Sequence, residues 1–427
     1  MTATNKGLQR FYEYRDRIAG LIKTMQESPE PNPLLIRFFT LINEQDKRVI
    51  DCLENHKPLI MSHYGNAGEI FAAMDIECYG PEDNLFVHQQ FTKDMEESDN
   101  SPFPQDMCAL TKLVAWGCLT NIIPTPTMIV AMLQPCDALS AVQEAVQNME
   151  GWKDIPTFAP DPTYGRDKSD YVYFAGELKR MIAFLEHHTG RKMDYGKLRD
   201  VVEETNRQYE AWAEYNELRR AVPCPHNSFI GGKLGWIMTQ HMKAGQAEVT
   251  EIMKMLAFDA EQKVKAKQGP LPKEKIRVMW ADMIPTWADP IAAWLEQERG
   301  ANVVMDFQSA TPYERIDTST EESMLLGLAR RTMSEIPMIR AARGKVDYMI
   351  EDLTRLVKDY KCDCVIFPGH TGHKDQSASI GFMKEACREL NVPLLSLAAD
   401  NFDPRTAPLD VMKRQIGEFF DAHELGK

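Results

Sequence analysis

Short apolar runs that end in a turn and give way to a helical stretch recur at both ends of this chain. PLIM, IECYG, TMIVAM and IPTF fall between residues 58 and 158, and IRVMW, ANVVMDF, CDCVIF and VPLLSL between 276 and 397. Continuous apolar runs of this length, rather than alternating ones, suit strands covered on both faces. Separated by helical segments, they predict parallel, doubly wound α/β sheets. Between the two groups, residues 170 to 258 are almost wholly helical in pattern, interrupted by VPCPHNSFIGGKLGWIM, and KAKQGPLPKEK at 264–274 has a linker's composition. Residues 7 to 56 carry two helices broken at PEPNP.

The expected architecture is therefore α/β, with two doubly wound parallel-sheet domains of Rossmann or flavodoxin-like type. A helical arm (1–56) precedes the first (57–169), and a helical region with linker (170–272) separates it from the second (273–427). The two α/β parts look like a coarse duplication. A chain of 427 residues calls for more than one core.

Composition narrows the function. Against 63 Asp and Glu there are 49 Lys and Arg, a formal charge of −14, which argues against a nucleic-acid partner. No apolar run is long enough to span a membrane, and the polar start MTATNKGLQRFYEYRDR has no signal-peptide core, so a cytoplasmic protein is expected. The nine cysteines are odd in number and scattered, which favours free thiols or metal ligands over disulfides. IGGKLG lacks the leading Gly and trailing Ser or Thr of a phosphate-binding loop, and no GxGxxG follows a strand. The chain is thus expected to carry no ATP or NAD site of its own.

Four stretches carry chemistry. SPFPQDMCALTKLVAWG predicts a helix that starts at Ser101 or the Pro104 turn and runs through Cys108 and Trp116, which puts Cys108 where the helix dipole favours a thiolate. Cys136, in LQPCDAL, falls just past a strand's C-terminal end, the edge where doubly wound sheets bind ligands. Two thiols on one edge could hold iron or zinc; packing as small hydrophobes is the alternative. In FPGHTGHKDQSAS, His370, His373 and Lys374 occupy the matching edge of the second domain, as metal ligands, proton donors or a solvated turn. In SHYGNAGEI, Ser62, His63, Asn66 and Glu69 follow a strand and are expected in the same cleft as substrate contacts, or else form an ordinary strand-to-helix turn. Cys362 and Cys364, two apart in a predicted strand, should face one side as core. Trp236, Trp280 and Trp287 suit an aromatic wall or a domain contact, and Lys112, Lys233 and Arg405 an anionic ligand.

Taken in order, SHYGNAGEIFAAMDIECYG, FPQDMCALTKLVAWG, LQPCDAL and CDCVIFPGHTGHKDQSASIGFMKEACRELNVPLLSLAADNFD resemble the 2-hydroxyacyl-CoA dehydratase and benzoyl-CoA reductase family. The resemblance implies a 4Fe-4S cluster at the interdomain cleft, a homologous second cluster subunit, a CoA-thioester substrate (aroyl-CoA or acyl-CoA), and a separate ATP-hydrolysing iron–sulfur activator. In that family three cysteines usually hold the cluster. Cys108 and Cys136 match the first two, but the loop expected to carry the third reads PGHTGHKDQ, leaving His370 or His373 as substitutes, or a site for another ligand. This loop is most similar to the B-type subunit of ATP-dependent benzoyl-CoA reductases. The leading expectation is a cluster subunit for two-electron, dearomatising reduction of an aroyl-CoA to a dienoyl-CoA. Alternatives are a 2-hydroxyacyl-CoA dehydratase subunit working through a ketyl radical, or an electron-transfer subunit without its own substrate site.

Overall fold

The strands of this chain are short, and every residue of most of them is buried. β1 (Leu59–Met61), β2 (Glu77–Tyr79) and β3 (Met128–Val130) expose nothing, and β4 (Thr157–Phe158) is half-buried. They pair in parallel in the order β2-β1-β3-β4. β5 (Ile276–Trp280), β6 (Ala301–Asp306), β7 (Cys364–Phe367) and β8 (Leu394–Ser396) form a second parallel sheet in the order β6-β5-β7-β8. The expected duplication is therefore one of topology: in each sheet the first strand is central, and the order reverses between it and the third. The computed structural model that provides this view describes residues 6–427 except 64, 83–90, 132–136, 288, 310–311 and 343–345.

Helices cover both sheets. Lys168–Thr189 begins at a reciprocal capping box between Asp167 and Asp170 and buries Phe174, Leu178, Met181 and Leu185 against the first sheet. Glu321–Ser334, from the long crossover between β6 and β7, adds Met324, Leu325 and Leu328 to that same core. The amino-terminal helices Lys6–Gln26 and Pro33–Glu54 lay Tyr14, Ile18, Phe38 and Leu41 on Trp212, Leu234 and Ile252 of the helical middle. The arm is thus a layer of the helical region.

Two details differ from the sequence reading. The helix containing Trp116 begins at Ala109, with Cys108 as its N-cap. Pro102 and Pro104 keep the preceding residues irregular, so Cys108 stands at the mouth of the helix and not within it. Cys362 and Cys364 do not share a face. β7 starts only at Cys364, after a bend at Asp363, so Cys364 packs with Ile366 while Cys362 joins Val365 and Phe367 on the other side.

A buried histidine in the helical middle gives the fold a pH dependence. His226 lies beside the Tyr215 hydroxyl (3.1 Å) and Asp259 (2.6 Å). Burial and the Lys263 ammonium push it down to about 4, against the pull of Asp259. The unfolded chain, with an ordinary imidazole, takes up this proton first as the pH falls, so stability is full above about pH 6.5 and is lost toward pH 4. Going from pH 7 to pH 5 should cost about 2 kcal/mol through this group. Urea unfolding at both pH values checks this, and His226→Phe should remove that part of the slope.

Candidate functional site

At the C-terminal edge of the second sheet, each of three adjacent strands ends in a polar residue. Asp282 follows β5, His370 follows β7, and Asp400 with Asn401 follow β8. β5 and β7 flank the point where the strand order reverses, the crevice in which open α/β sheets bind ligands. Gly369 makes the turn possible: its φ is +63°, and a Cβ there would meet the Leu397 carbonyl oxygen at 2.2 Å. A parallel bridge between His370 and Ala399 carries the β7–β8 ladder into this loop.

His370 is fully buried, and its Nδ1 accepts from the Asn401 N–H at 3.1 Å. Burial and the neighbouring His373 push it down to about 3, so the ring is neutral. A neutral ring that accepts at Nδ1 carries its proton on Nε2, and this atom has no partner among the described residues. His370 therefore offers the site a hydrogen-bond donor. His373 stands edge-on to it, ring centres 4.4 Å apart, with its Nδ1 3.6 Å from Asp282. Burial opposes its charge most strongly, but the Asp282, Asp375 and Asp400 carboxylates together raise it above the ordinary imidazole range. Asp282, itself steadied by the Asn401 side-chain amide at 3.2 Å, is correspondingly held low. A carboxylate behind one ring nitrogen orients a histidine and makes it more basic, leaving the other nitrogen for chemistry.

Cys108 comes to this edge from the first domain. The first N–H of its helix, at Ala109, donates to Asp400 Oδ2 (3.2 Å), which joins the two domains directly at the thiol. Gly372 packs on Cys108 so closely that a Cβ would lie 2.3 Å from the cysteine Cβ and 2.9 Å from His370 Nε2. Gly372→Ala should therefore destabilise the protein by about 3 kcal/mol or more, at the top of the range for overpacking, because Cys108 backbone blocks relief. Thermal unfolding checks this, with Gly381→Ala, where nothing lies within 4 Å, as the control.

The other expected residues fall as follows. Cys136 and the Lys233 side chain lie outside the described residues. Lys374 is exposed and pairs with Asp106 across the domains. Lys112 and Arg405 both pair with Asp99, so they link segments. Trp280 is core, donating to the Met283 carbonyl, and Trp287 donates to the Asp400 carbonyl. Ser62 and Asn66 are buried at the corresponding edge of the first sheet, with Ser62 Oγ and Asn66 Nδ2 unpartnered among the described residues. His63 meets Glu82 at 3.0 Å and packs edge-on to His241, ring centres 5.0 Å apart. Glu69 accepts from Arg331 at 3.2 Å beside a cavity of about 20 Å³, room for one water.

Residues 67–422 match the family of the 2-hydroxyglutaryl-CoA dehydratase D-component. The chain belongs to this family. It is 22% identical over 314 residues to the lactoyl-CoA dehydratase subunit alpha of Anaerotignum propionicum, covering 70% of this chain and 71% of that one. It is 25% identical over 171 residues to the (R)-2-hydroxyglutaryl-CoA dehydratase subunit alpha of Acidaminococcus fermentans, covering 39% of this chain and 34% of the relative. The chain thus spans about a third of the latter's length. This is the dehydratase side of the family that the sequence stretches resemble, and it fits the alternative of a dehydratase subunit better than the aroyl-CoA reductase that was the leading expectation; both relatives are dehydratase subunits by name.

Within this D-component family member, the match covers the second sheet, the helical middle and β2, β3 and β4 of the first sheet, and begins after β1. Sequence reasoning singled out Cys108, His370 and His373 but missed Asp282, Asp400, Asn401, Glu82 and His241. The first three had a readable signal, since each closes an apolar run (IRVMW-AD, VPLLSLAA-DN) at a strand's C-terminal end. No spacing in the sequence relates Glu82 to His241.

Proposed function

We propose that this chain is the catalytic, cluster-carrying subunit of a 2-hydroxyacyl-CoA dehydratase, eliminating water to give a 2-enoyl-CoA. The observation that supports this most is the contact of Cys108 with the His370–His373 loop across two sheet edges, in a chain of the D-component family. Cys108 at its helix N-terminus is a thiolate ligand for an iron–sulfur cluster, with Cys136 the second. The setting fits such a group in chemistry: one soft thiol ligand at a helix N-terminus, with two buried imidazoles beside it, whose His370 Nε2 and His373 Nδ1 have no hydrogen-bond partner among the described residues. The cluster, when bound, supplies single electrons at low potential. The protein's own residues handle protons. His373, oriented by Asp282, exchanges a proton with the departing hydroxyl, and the Nε2–H of His370 donates to a substrate oxygen. The buried setting of both excludes water from the reacting carbons.

The subunit works with a homologous second subunit and a separate ATP-hydrolysing activator. Anaerobic co-purification with both, followed by assay of 2-hydroxyacyl-CoA thioesters, tests the reading: enoyl-CoA formation dependent on ATP supports it, and none in an iron-replete complex opposes it. The second reading is the aroyl-CoA reductase. It is favoured by the loop that presents two histidines where a thiolate is expected, since ring reduction consumes protons. Consumption of benzoyl-CoA without dehydratase activity would select it.

A further inference from the structure

His63, Glu82 and His241 come from three separate segments, and their ligand atoms all lie within 4.8 Å of one another. His63 follows β1 and Glu82 follows β2, neighbouring strands of the first sheet, so topology alone brings both to one edge. His241 closes the π-helical turn Ile237–His241. Such turns re-aim a side chain by one residue and are frequent at functional sites. The turn is held in place: Gly65 donates to the Gln240 carbonyl at 3.3 Å, Gln45 donates to the His241 carbonyl, and Trp236 packs edge-on to the His241 ring at 4.6 Å.

The arrangement is more than an ion pair. His63 Nε2 already meets Glu82 Oε1 at 3.0 Å, with their side chains only 13% and 7% exposed. A second buried imidazole, 8% exposed, is not needed to balance one carboxylate. Two imidazoles and a carboxylate are instead the donor set of first-row divalent metals. With ligands about 2.0–2.2 Å from zinc, tetrahedral donors sit about 3.4 Å apart, which these side chains reach through small rotamer changes. Ser62 Oγ and Asn66 Nδ2, buried in the same strand-to-helix turn and unpartnered among the described residues, add polar atoms beside it.

We propose that His63, Glu82 and His241 form a binding site for one divalent transition metal of the zinc class, with a coordination position left open. Three protein ligands are the pattern of sites that present the metal to water or a substrate oxygen, whereas closed structural sites use four. None of Cys108, His370 or His373 takes part, so the site stands whether or not the chain carries iron.

The test uses the full chain, purified anaerobically, dialysed against zinc chloride and then against metal-free buffer. Zinc and iron are measured together by mass spectrometry, and the zinc coordination shell by X-ray absorption. The expected result is about one zinc per chain with a nitrogen and oxygen shell and imidazole scattering. His241→Phe, which keeps the packing against Trp236, and Glu82→Gln should each weaken zinc retention by more than about tenfold while iron is unchanged. His226→Phe, a buried histidine elsewhere, should retain zinc fully. Wild-type protein that holds no zinc, zinc with sulfur in its shell, or zinc retained in both ligand variants would overturn the site. If both variants fold poorly, the zinc content and absorption shell of the wild type still decide.

Discussion

Cys108→Ser is expected to remove bound iron and lower CoA-thioester turnover more than about 100-fold, because even changes behind a metal's ligands cost 10–100-fold. The sulfur is lost where the start of the Ala109–Leu119 helix packs on Gly372 of the His370–His373 loop. Serine keeps the side chain's size and its place as N-cap, so the fold should hold and the loss should be chemical. Cys118→Ser is the matching control. That thiol is buried in the core around Trp152, ten residues along the same helix, and its replacement should reduce stability but leave iron in place. Iron by mass spectrometry and turnover by thioester chromatography, both under anaerobic conditions, read the two variants.

His373→Gln should separate binding from proton transfer. A positioned acid–base group contributes about 10²–10⁴-fold, so turnover should fall by about that factor with iron unchanged. Asp282→Asn should act in the same direction but less strongly, since it withdraws only the carboxylate 3.6 Å from His373 Nδ1. Glutamine keeps a polar side chain in the buried space and leaves the His370 contact with Asn401 intact. Iron lost in proportion to turnover would instead make His373 a ligand in the position where the family's third thiolate is expected.

Much of this was legible because parallel strands covered on both faces read as continuous apolar runs, which point to their own C-terminal edges. PLIM and CDCVIF therefore pointed to Ser62 and His370 at strand ends, whereas VPLLSL carried the same signal for Asp400 and it went unread. What escaped depends on topology or on a turn. The partnership of His241 with His63 and Glu82 exists only because a π-helical turn, far along the chain, folds back on the first sheet. Glu69 looked like a cleft residue because it follows a strand. Its oxygen, however, meets Arg331 of the Glu321–Ser334 helix, a segment some 260 residues away that packs on the first sheet. Cys108 as N-cap, with Asp400 taking the first free N–H, was hidden by the prolines that blur where its helix starts.

In the proposed function, Cys108 and the His370–His373 loop form one site for reductively assisted chemistry on a CoA thioester. The most direct measurement is iron content and ATP-dependent conversion of a 2-hydroxyacyl-CoA by the anaerobically prepared complex, wild type beside Cys108→Ser. The expected result is a coloured, iron-bearing wild type that forms the 2-enoyl-CoA, and a variant that has lost both. A colourless, iron-free wild type, or a Cys108→Ser protein that keeps its iron and its turnover, would contradict it.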